Sequence, residues 1–374
     1  MTSSPVRKIE RITIHGVSTK QQLRQHDNYK SLPLHPPQCQ PHSYQSQFTP
    51  QPNTSTNQTQ TMSPKSILVL SATGNQGRGV VQHCLSAGHS VSAYVRNPAS
   101  SAAVQLAEQG ATLITGDLDD LESLRTATQN VDAVFFTEVQ TGNRELDLKR
   151  MENVILAAQE SSTISHIILS TALKTGQHES FPGWEGGAHP MKEYWLQKHA
   201  LENRVREAAA AKNGGRWTII RPGHFLQNLL PSVRDFMFPG FKEERVLRVA
   251  YRAGTELPLV DARDVGIVVA AAVKEPERFA NKAIDVAVEV VTVEQLAGKI
   301  GKVVGEEVKV EFLDDEVVDG MIKEGHLGAA SSRWADEVPG GDGVSNCRED
   351  LGALAEGLTS VDAFLKENGK EILA

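Results

Sequence analysis

The chain has 374 residues, of which 40% are hydrophobic and 22% are charged, and its formal net charge is −8. This length allows one large domain or two moderate ones with a sizeable core. The acidic balance argues against a general nucleic-acid binder, and the longest apolar run, residues 265–273, is too short to cross a bilayer. We therefore expect a globular protein that binds neither nucleic acid nor membrane.

The cysteines are few and far apart, at Cys39, Cys84 and Cys347. Their number and spacing fit neither a disulfide framework nor a zinc site, which indicates a reducing compartment. The charged residues near the N-terminus are not followed by an apolar stretch, so no secretory signal is recognised. We expect a cytoplasmic protein without a metal site, and the sequence leaves its oligomeric state open.

The first 62 residues differ in composition from the rest of the chain. Residues 33–61 are rich in Pro, Gln, Ser and Thr, and such a segment cannot bury enough apolar surface to offset its ordering entropy. We therefore predict a disordered extension over residues 1–62. An added extension, a targeting arm and a natural start at Met62 are alternatives, since Met62 directly precedes the first strand-like segment.

Short apolar segments rich in β-branched residues follow, and they predict strands at residues 66–71, 91–96, 111–115, 132–137, 166–171 and 217–221. Helical patterns alternate with them, at residues 77–87, 102–109, 119–129, around 148–158 and from about 191. This alternation indicates a parallel sheet covered by helices on both faces. The predicted fold is a doubly wound α/β sheet of the Rossmann type, with a nucleotide-binding domain over residues 63–222.

The alternation loosens after residue 222. Residues 261–273 and 292–305 predict helices, and residues 284–290 predict a strand between them. We interpret residues 223–374 as a smaller α/β part that lines the substrate side. The sequence does not fix the boundary between this part and the first domain, because chains of this class often return to the first domain.

A glycine-containing loop joins the first predicted strand to the first helix. Glycine lets the backbone turn sharply and approach a pyrophosphate, which the N–H groups and dipole of the following helix stabilise. Ala72 occupies the first position of the usual G-x-G-x-x-G pattern, so the motif is incomplete. The prediction of dinucleotide binding therefore rests on the position of the loop between a strand and a helix. A purely structural turn is the alternative. The candidate dinucleotide-binding residues of the loop are Ser71, Ala72, Thr73, Gly74, Asn75, Gln76 and Gly77.

The end of the second predicted strand indicates which dinucleotide binds. An NAD site usually carries an acidic residue there, but this chain has Arg96 and no Asp or Glu between Asn28 and Ala107. Arg96, together with Arg78, would pair with a 2′-phosphate, so we predict NADP(H); two solvated surface arginines are the alternative.

Asp117 and Leu118 follow the third predicted strand, where an acidic side chain would accept a hydrogen bond from the adenine amino group. Asp117 as the N-cap of the next helix is an equally good interpretation.

Several motifs together resemble the NmrA-like family of atypical short-chain dehydrogenases. They are ILVLSATGNQGRGVV, VRNP, GDL, WTIIRPGHFLQN and VDARDVG, and the resemblance covers roughly residues 64–310. The family usually has glycine where this chain has Ser71. The resemblance implies NADP(H) binding and leaves two functions open: a reductase of a small carbonyl, quinone or conjugated substrate, and a non-catalytic redox sensor, cytoplasmic or nuclear, that regulates a transcription factor or another protein partner.

Tyr194 and Lys198 favour the reductase. They lie four residues apart and so share one face of a helix, in the Y-x-x-x-K arrangement of catalytic short-chain dehydrogenases. The ammonium would stabilise a phenolate, which lets the tyrosine hydroxyl transfer a proton, and would also hold the nicotinamide ribose. Ser170, at the end of the fifth strand, would orient a substrate carbonyl. A chance spacing on an amphipathic helix and a strand-end serine that bonds to backbone are the alternatives.

The resemblance implies further cofactor contacts from residues that follow strands, namely Thr137, Glu138, Phe225 and Asn228. Ligands of parallel sheets bind beyond the carboxyl ends of the strands, which agrees with these positions. His189 and His224 would reach a substrate from the same edge, although loop histidines are more often ordinary polar residues.

Overall fold

A computed structural model describes residues 65–139, 141–187, 189–238 and 240–374. The predicted extension over residues 1–62, and Cys39 within it, lie outside the described residues. These described residues belong to one compact unit and form a single folded body.

The strands and helices alternate through the first half of the described chain and become less regular in the second. The strands are β1 (Ser66–Val69), β2 (Ser90–Val95), β3 (Thr112–Thr115), β4 (Ala133–Thr137), β5 (His166–Ser170), β6 (Arg216–Pro222), β7 (His224–Phe225), β8 (Val246–Val249), β9 (Glu256–Val260), β10 (Lys282–Val286), β11 (Glu289–Thr292) and β12 (Lys309–Phe312). The helices are α1 (Asn75–Ser86), α2 (Ser101–Glu108), α3 (Leu121–Ala127), α4 (Arg144–Glu160), α5 (Lys192–Ala210), α6 (Pro231–Met237), α7 (Phe241–Glu244), α8 (Val265–Lys274), α9 (Pro276–Phe279), α10 (Val293–Val304), α11 (Asp315–Lys323), α12 (Leu327–Glu337), α13 (Asp342–Leu351) and α14 (Val361–Leu373).

The main sheet has the strand order β3-β2-β1-β4-β5-β6-β10, and every neighbouring pair in it is parallel. The chain therefore reverses its direction of travel across the sheet between β1 and β4. In sheets of this kind ligands bind at that reversal, beyond the carboxyl ends of the strands. The prediction of a doubly wound, Rossmann-type α/β sheet is confirmed.

Two apolar layers cover the sheet. Helices α1 and α8 pack on one face with buried residues such as Val80 and Val268, and helices α4 and α5 pack on the other with residues such as Met151 and Val205. Helices α1 and α8 approach each other closely at a glycine, because a Cβ on Gly266 would lie 2.7 Å from the Val80 nitrogen. The glycine of the VDARDVG motif therefore serves helix packing.

The predicted strand at residues 284–290 is wrong as a single element. Strand β10 pairs in parallel with β6, whereas β11 pairs antiparallel with β9 in a separate sheet of order β11-β9-β7. The break occurs where the Val288 N–H leaves the first sheet and donates to the Leu259 carbonyl. The chain beyond residue 222 therefore returns to the nucleotide-binding sheet before it builds the rest of the C-terminal part.

The predicted helix at residues 261–273 begins later, at Val265, because Asp261 accepts a hydrogen bond from the Arg263 N–H and caps a short 3-10 turn first. A third apolar cluster, which includes Leu247, Leu296 and Phe364, holds the C-terminal part together. Strands β8 and β12 pair in parallel beside it. Across the described residues, every helix is too short or too polar to span a membrane.

Candidate functional site

The loop after β1 has the geometry that the glycine motif predicts. A Cβ on Gly77 would lie 2.7 Å from the Ala72 Cα and closer still to the Ser71 carbonyl oxygen, so only glycine fits without a backbone shift. Gly74 is less constrained, since its Cβ would lie 3.3 Å from the Ser71 oxygen. Ser71 has a φ of 53°, in the left-handed region that glycine adopts most easily.

The N-terminus of α1 is open to an anionic group. Gly74 occupies the N-cap without a side-chain hydrogen bond, and the first turn contains no acidic residue. Thr73 and Gly74 are exposed, whereas Ala72 is buried in the core and can offer only its backbone. Free N–H groups and the positive end of the helix dipole therefore face the region that a pyrophosphate would occupy.

Arg96 is exposed at the end of β2 and makes no hydrogen bond or ion pair with the residues that the structure describes. Arg78 is also exposed, but its Nη2 donates to the Asn75 Oδ1 at 2.8 Å. Of the two arginines, Arg96 therefore has the less engaged guanidinium, which suits an incoming phosphate.

The alternative interpretation of Asp117 as a helix cap is wrong. Asp120 caps α3, because its side chain accepts from the N–H groups of Glu122 and Ser123. Within the described part of the chain, the Asp117 carboxylate accepts only from the Asp119 N–H at 3.1 Å, and Asp117 is partly exposed. Next to it, the Leu118 side chain packs against the core.

A short hydrogen-bond chain joins the first turn of α1 to the ends of β4 and β5. Gln76 Nε2 donates to Thr137 Oγ1 at 3.5 Å, and Thr137 Oγ1 donates to the Ser170 carbonyl at 3.3 Å. Gln76 Oε1 and Ser170 Oγ are buried without a hydrogen-bond partner among the described residues. Because an unpaired buried polar atom is costly, the Gln76 amide at the end of the glycine loop is suited to a bound group. The Ser170 side chain is fully buried and does not line the cavity described below, so its expected contact with substrate lacks a geometric basis.

Lys198 and Glu138 form a buried ion pair at the end of β4. The Lys198 Nζ lies 2.7 Å from the Glu138 Oε2, and the two side chains are 8% and 1% exposed. Gln197 on α5 donates to the other oxygen of the carboxylate. Burial alone would lower the pKa of Lys198, but Tyr194 and Glu138 outweigh burial, and the net effect raises the pKa. Lys198 is therefore a firmly held cation.

Tyr194 lies between this cation and a cavity. The Lys198 Nζ is 5.4 Å from the centroid of the Tyr194 ring, and the ring meets Trp195 edge to face at 4.9 Å. The Tyr194 hydroxyl makes no hydrogen bond to the side chains and backbone that the structure describes. The hydroxyl is thus available to a ligand in the cavity.

The cavity has a volume of about 290 Å³ and mostly apolar and aromatic walls. Asn228 and His224 line it as well, so three residues singled out in the sequence meet here. Burial lowers the pKa of His224 to about 4, which keeps the imidazole neutral near pH 7. His189 does not line the cavity; its Nδ1 accepts from the Met191 N–H at 3.1 Å. Phe225 packs against the core and lines a small adjacent space of about 30 Å³.

Most other cavity residues are not singled out by the sequence, among them Met237, Tyr251 and Trp334. These three come from α6, the end of β8 and α12, far apart along the chain and outside any recognisable motif. Only the aromatic character of Tyr251 and Trp334 is a signal, and aromatic residues are common in any core.

Comparisons with known proteins identify the family. The family model described as the NmrA-like family matches residues 63–365, so the chain belongs to the NmrA-like family. The resemblance inferred from the motifs is confirmed.

Two curated relatives are each 26% identical to this chain. The first is NAD(P)H azoreductase of Xenophilus azovorans, with a match over 56% of this chain and 64% of that protein, slightly under two thirds of its length. The second is the NmrA-like family domain-containing oxidoreductase ptmS of Penicillium ochrochloron, with a match over 67% of this chain and 76% of that protein.

Solved structures with the same fold include an NADPH-dependent quinone oxidoreductase from Escherichia coli in complex with NADPH. It is 21% identical, has a TM-score of 0.61, and is aligned over 80% of this chain and 99% of that one. NmrA, a negative transcriptional regulator in complex with NADP, is 20% identical with a TM-score of 0.62 over 81% and 95% of the two chains. At these identities the similarity establishes the fold and leaves the activity open.

Proposed function

We propose that this protein is an NADP(H)-dependent reductase whose substrate binds in the cavity beside Tyr194. The observation that carries the proposal is the position of Tyr194, which lines the cavity with the buried, protonated Lys198 next to its ring. The Tyr194 hydroxyl has no hydrogen-bond partner among the described residues. A tyrosine supported by a cation is suited to general acid chemistry.

The residues at the carboxyl edge of the sheet fit NADP(H). The loop over residues 71–77 and the open N-terminus of α1 would hold the pyrophosphate, and Arg96 would pair with the 2′-phosphate. Asp117 and Leu118 would flank the adenine. Thr137, Lys198 and Asn228 would face the nicotinamide half. The relatives named for NAD(P)H or solved with NADP(H) support this cofactor.

When bound, NADPH supplies a hydride to the substrate, and this chain's residues supply the proton and the orientation. Tyr194 donates its hydroxyl proton to the substrate oxygen that gains electron density. Lys198 stabilises the resulting phenolate, and Glu138 holds Lys198 in place through their 2.7 Å contact. The neutral His224 can donate a hydrogen bond to the same substrate without adding charge. Ser170 has no part in this scheme because it is fully buried.

The walls of the cavity favour a flat, largely apolar substrate. Trp195, Tyr251 and Trp334 offer aromatic faces, and Met191 and Met237 offer adaptable thioethers. A small quinone, enone or aromatic carbonyl fits both these walls and the proton donor. The rival function, a non-catalytic sensor of the dinucleotide that docks on a protein partner, would make no use of an open cavity beside a proton donor.

The test is NADPH oxidation by the full chain, followed by absorbance against a panel of quinones, enones and aldehydes, with NADPH binding measured separately by fluorescence. The proposal expects turnover of at least one quinone or enone. Tight NADPH binding without turnover of any acceptor would overturn the reductase and favour the sensor.

A further inference from the structure

A second cavity of about 200 Å³ adjoins the one that contains Tyr194. Met237, Tyr251 and Gly328 line both cavities and therefore form the wall between them. The second cavity lies away from the nucleotide loop, between the end of β8 and helices α11 and α12. The second cavity takes no part in the proposed cofactor binding or proton transfer.

The second cavity offers apolar contacts almost exclusively. Its apolar lining residues are Phe238, Val249, Ala250, Leu313, Met321 and Ala329. The polar side chains among its walls are engaged elsewhere: Arg248 pairs with Glu244 and Glu311, His326 Nδ1 accepts from the Ala329 N–H, and Ser332 Oγ donates to the Gly328 carbonyl. A charged or strongly polar ligand would find few free partners there, so the chemistry of the walls suits a hydrocarbon chain.

Two of the three residues in the wall between the cavities are small or flexible, so the wall can admit a hydrocarbon chain. Met237 is unbranched and flexible, and it is the last residue of α6. Gly328 contributes no side chain, and a Cβ built there would meet only the His326 ring, at 3.1 Å. Tyr251 is the one bulky member and is 6% exposed.

We propose that the substrate carries a hydrocarbon tail, and that the tail enters the second cavity past Met237 and Gly328 while the reducible head lies beside Tyr194. This inference rests on the proposed reductase function. It narrows the substrate class to quinones or enones with an alkyl or isoprenoid substituent. Burial of apolar surface in the second cavity then supplies binding energy remote from the reacting atoms, which is the usual way an enzyme distinguishes substrates with a common head.

The test compares 1,4-benzoquinone with its n-propyl and n-hexyl derivatives in the wild type and two matched variants. Met321→Trp fills the second cavity from α11, and Val317→Trp places the same side chain on the same helix at a position that is 50% exposed. The quantity measured is the ratio of kcat/KM for each alkylquinone to that for the parent. Each methylene that becomes buried should raise this ratio about three- to fourfold.

The wild type and Val317→Trp should give rising ratios, and in Met321→Trp the ratios should fall towards one. Met321→Phe, a milder change, should give intermediate ratios and guards against misfolding of the tryptophan variant, which circular dichroism would detect. Ratios near one in the wild type, or equal slopes in the wild type and a folded Met321→Trp, would overturn the tail proposal. If the protein binds NADPH but reduces none of these quinones, the result would instead contradict the proposed reductase function.

Discussion

The glycine-rich loop and the cavity beside Tyr194 lie at the same edge of the main sheet, but they are built differently. The loop is a run of adjacent residues, 71–77, that acts through its backbone: N–H groups without a cap and glycines without a side chain. The cavity is enclosed by side chains from distant segments, such as Tyr194, Tyr251 and Trp334. The loop therefore depends on local conformation, and the cavity depends on how the C-terminal part packs.

This difference separates what the family shares from what each member can vary. A loop that binds through its backbone tolerates few substitutions, but it suits the same dinucleotide in any family member. Side chains in a cavity wall can change without disturbing the fold. We therefore expect variants in the loop to alter cofactor binding, and variants in the cavity to alter turnover and substrate choice.

The largest effect on stability should come from the buried ion pair of Lys198 and Glu138 beside the Tyr194 ring. Lys198→Met leaves the Glu138 carboxylate, whose side chain is 1% exposed, without its cation. We expect a loss of about 3–5 kcal/mol in the free energy of unfolding, measured in urea. The double variant Glu138→Gln/Lys198→Met should regain much of this loss, because no buried charge is left unpaired. A double variant less stable than Lys198→Met would contradict this account of the pair.

Outside these two regions, the buried carboxylate of Asp264 should make the stability of the protein depend on pH. Asp264 precedes α8, accepts two hydrogen bonds from Thr359, and is 2% exposed. Burial, partly offset by the Thr359 hydrogen bonds, raises the pKa of Asp264 to about 6. The folded state therefore binds the proton more tightly than the unfolded state, so the contribution of Asp264 to stability is present at pH 4 and is lost as the pH rises through 6.

The measurement is the free energy of unfolding of the wild type minus that of Asp264→Asn. This difference should fall by up to roughly 3 kcal/mol between pH 4 and pH 7. Asp319→Asn, at an exposed position of α11, should show no such trend relative to the wild type. A difference that rises with pH would have the opposite sign from the one argued here.

The loop can be tested with two glycines that differ in available space. Gly77→Ala places a methyl group 2.7 Å from the Ala72 Cα, whereas the same change at Gly74 leaves 3.3 Å to the Ser71 oxygen. We expect Gly77→Ala to lower stability by roughly 1–3 kcal/mol and to weaken NADPH binding more than tenfold. Gly74→Ala should have a clearly smaller effect on both. Equal effects would mean that close backbone packing is not what selects glycine at position 77.

The smallest effect concerns the choice of cofactor. Arg96→Ala removes a guanidinium that is free to pair with a 2′-phosphate, so the Kd for NADPH should rise roughly tenfold while the Kd for NADH stays the same. Arg204→Ala, an arginine of α5 already paired with Glu152 and Glu207, serves as the control. A parallel loss of affinity for both cofactors would remove Arg96 from the 2′-phosphate site.

The same contrast between the two regions explains which features of the structure the sequence predicts. The strands of the nucleotide-binding half were predicted to within two residues, since short β-branched runs between helices have a strong local pattern. The segment at residues 284–290 was misjudged because its hydrophobic pattern continues through a change of sheet at Val288. Ser170 was placed correctly at a strand end, but only tertiary packing determines that its hydroxyl is buried.

The cavity itself has no local signature. Tyr194 is identified through its spacing to Lys198, whereas Tyr251 and Met237 reach the cavity only through the packing of the third apolar cluster. Contacts between distant segments are set by packing and not by periodicity, so a single sequence predicts the cofactor side better than the substrate side.

The most direct test of the account is the turnover of Tyr194→Phe with a quinone that the wild type reduces. The account predicts that kcat falls by at least about 100-fold while the Kd for NADPH changes less than twofold, because only a proton donor is lost. Tyr251→Phe removes another tyrosine hydroxyl from the cavity residues, and its kcat should fall far less, because burial raises the pKa of Tyr251 to about 12 and makes it a poorer proton donor. A Tyr194→Phe protein with wild-type kcat would contradict the assignment of Tyr194 as the proton donor.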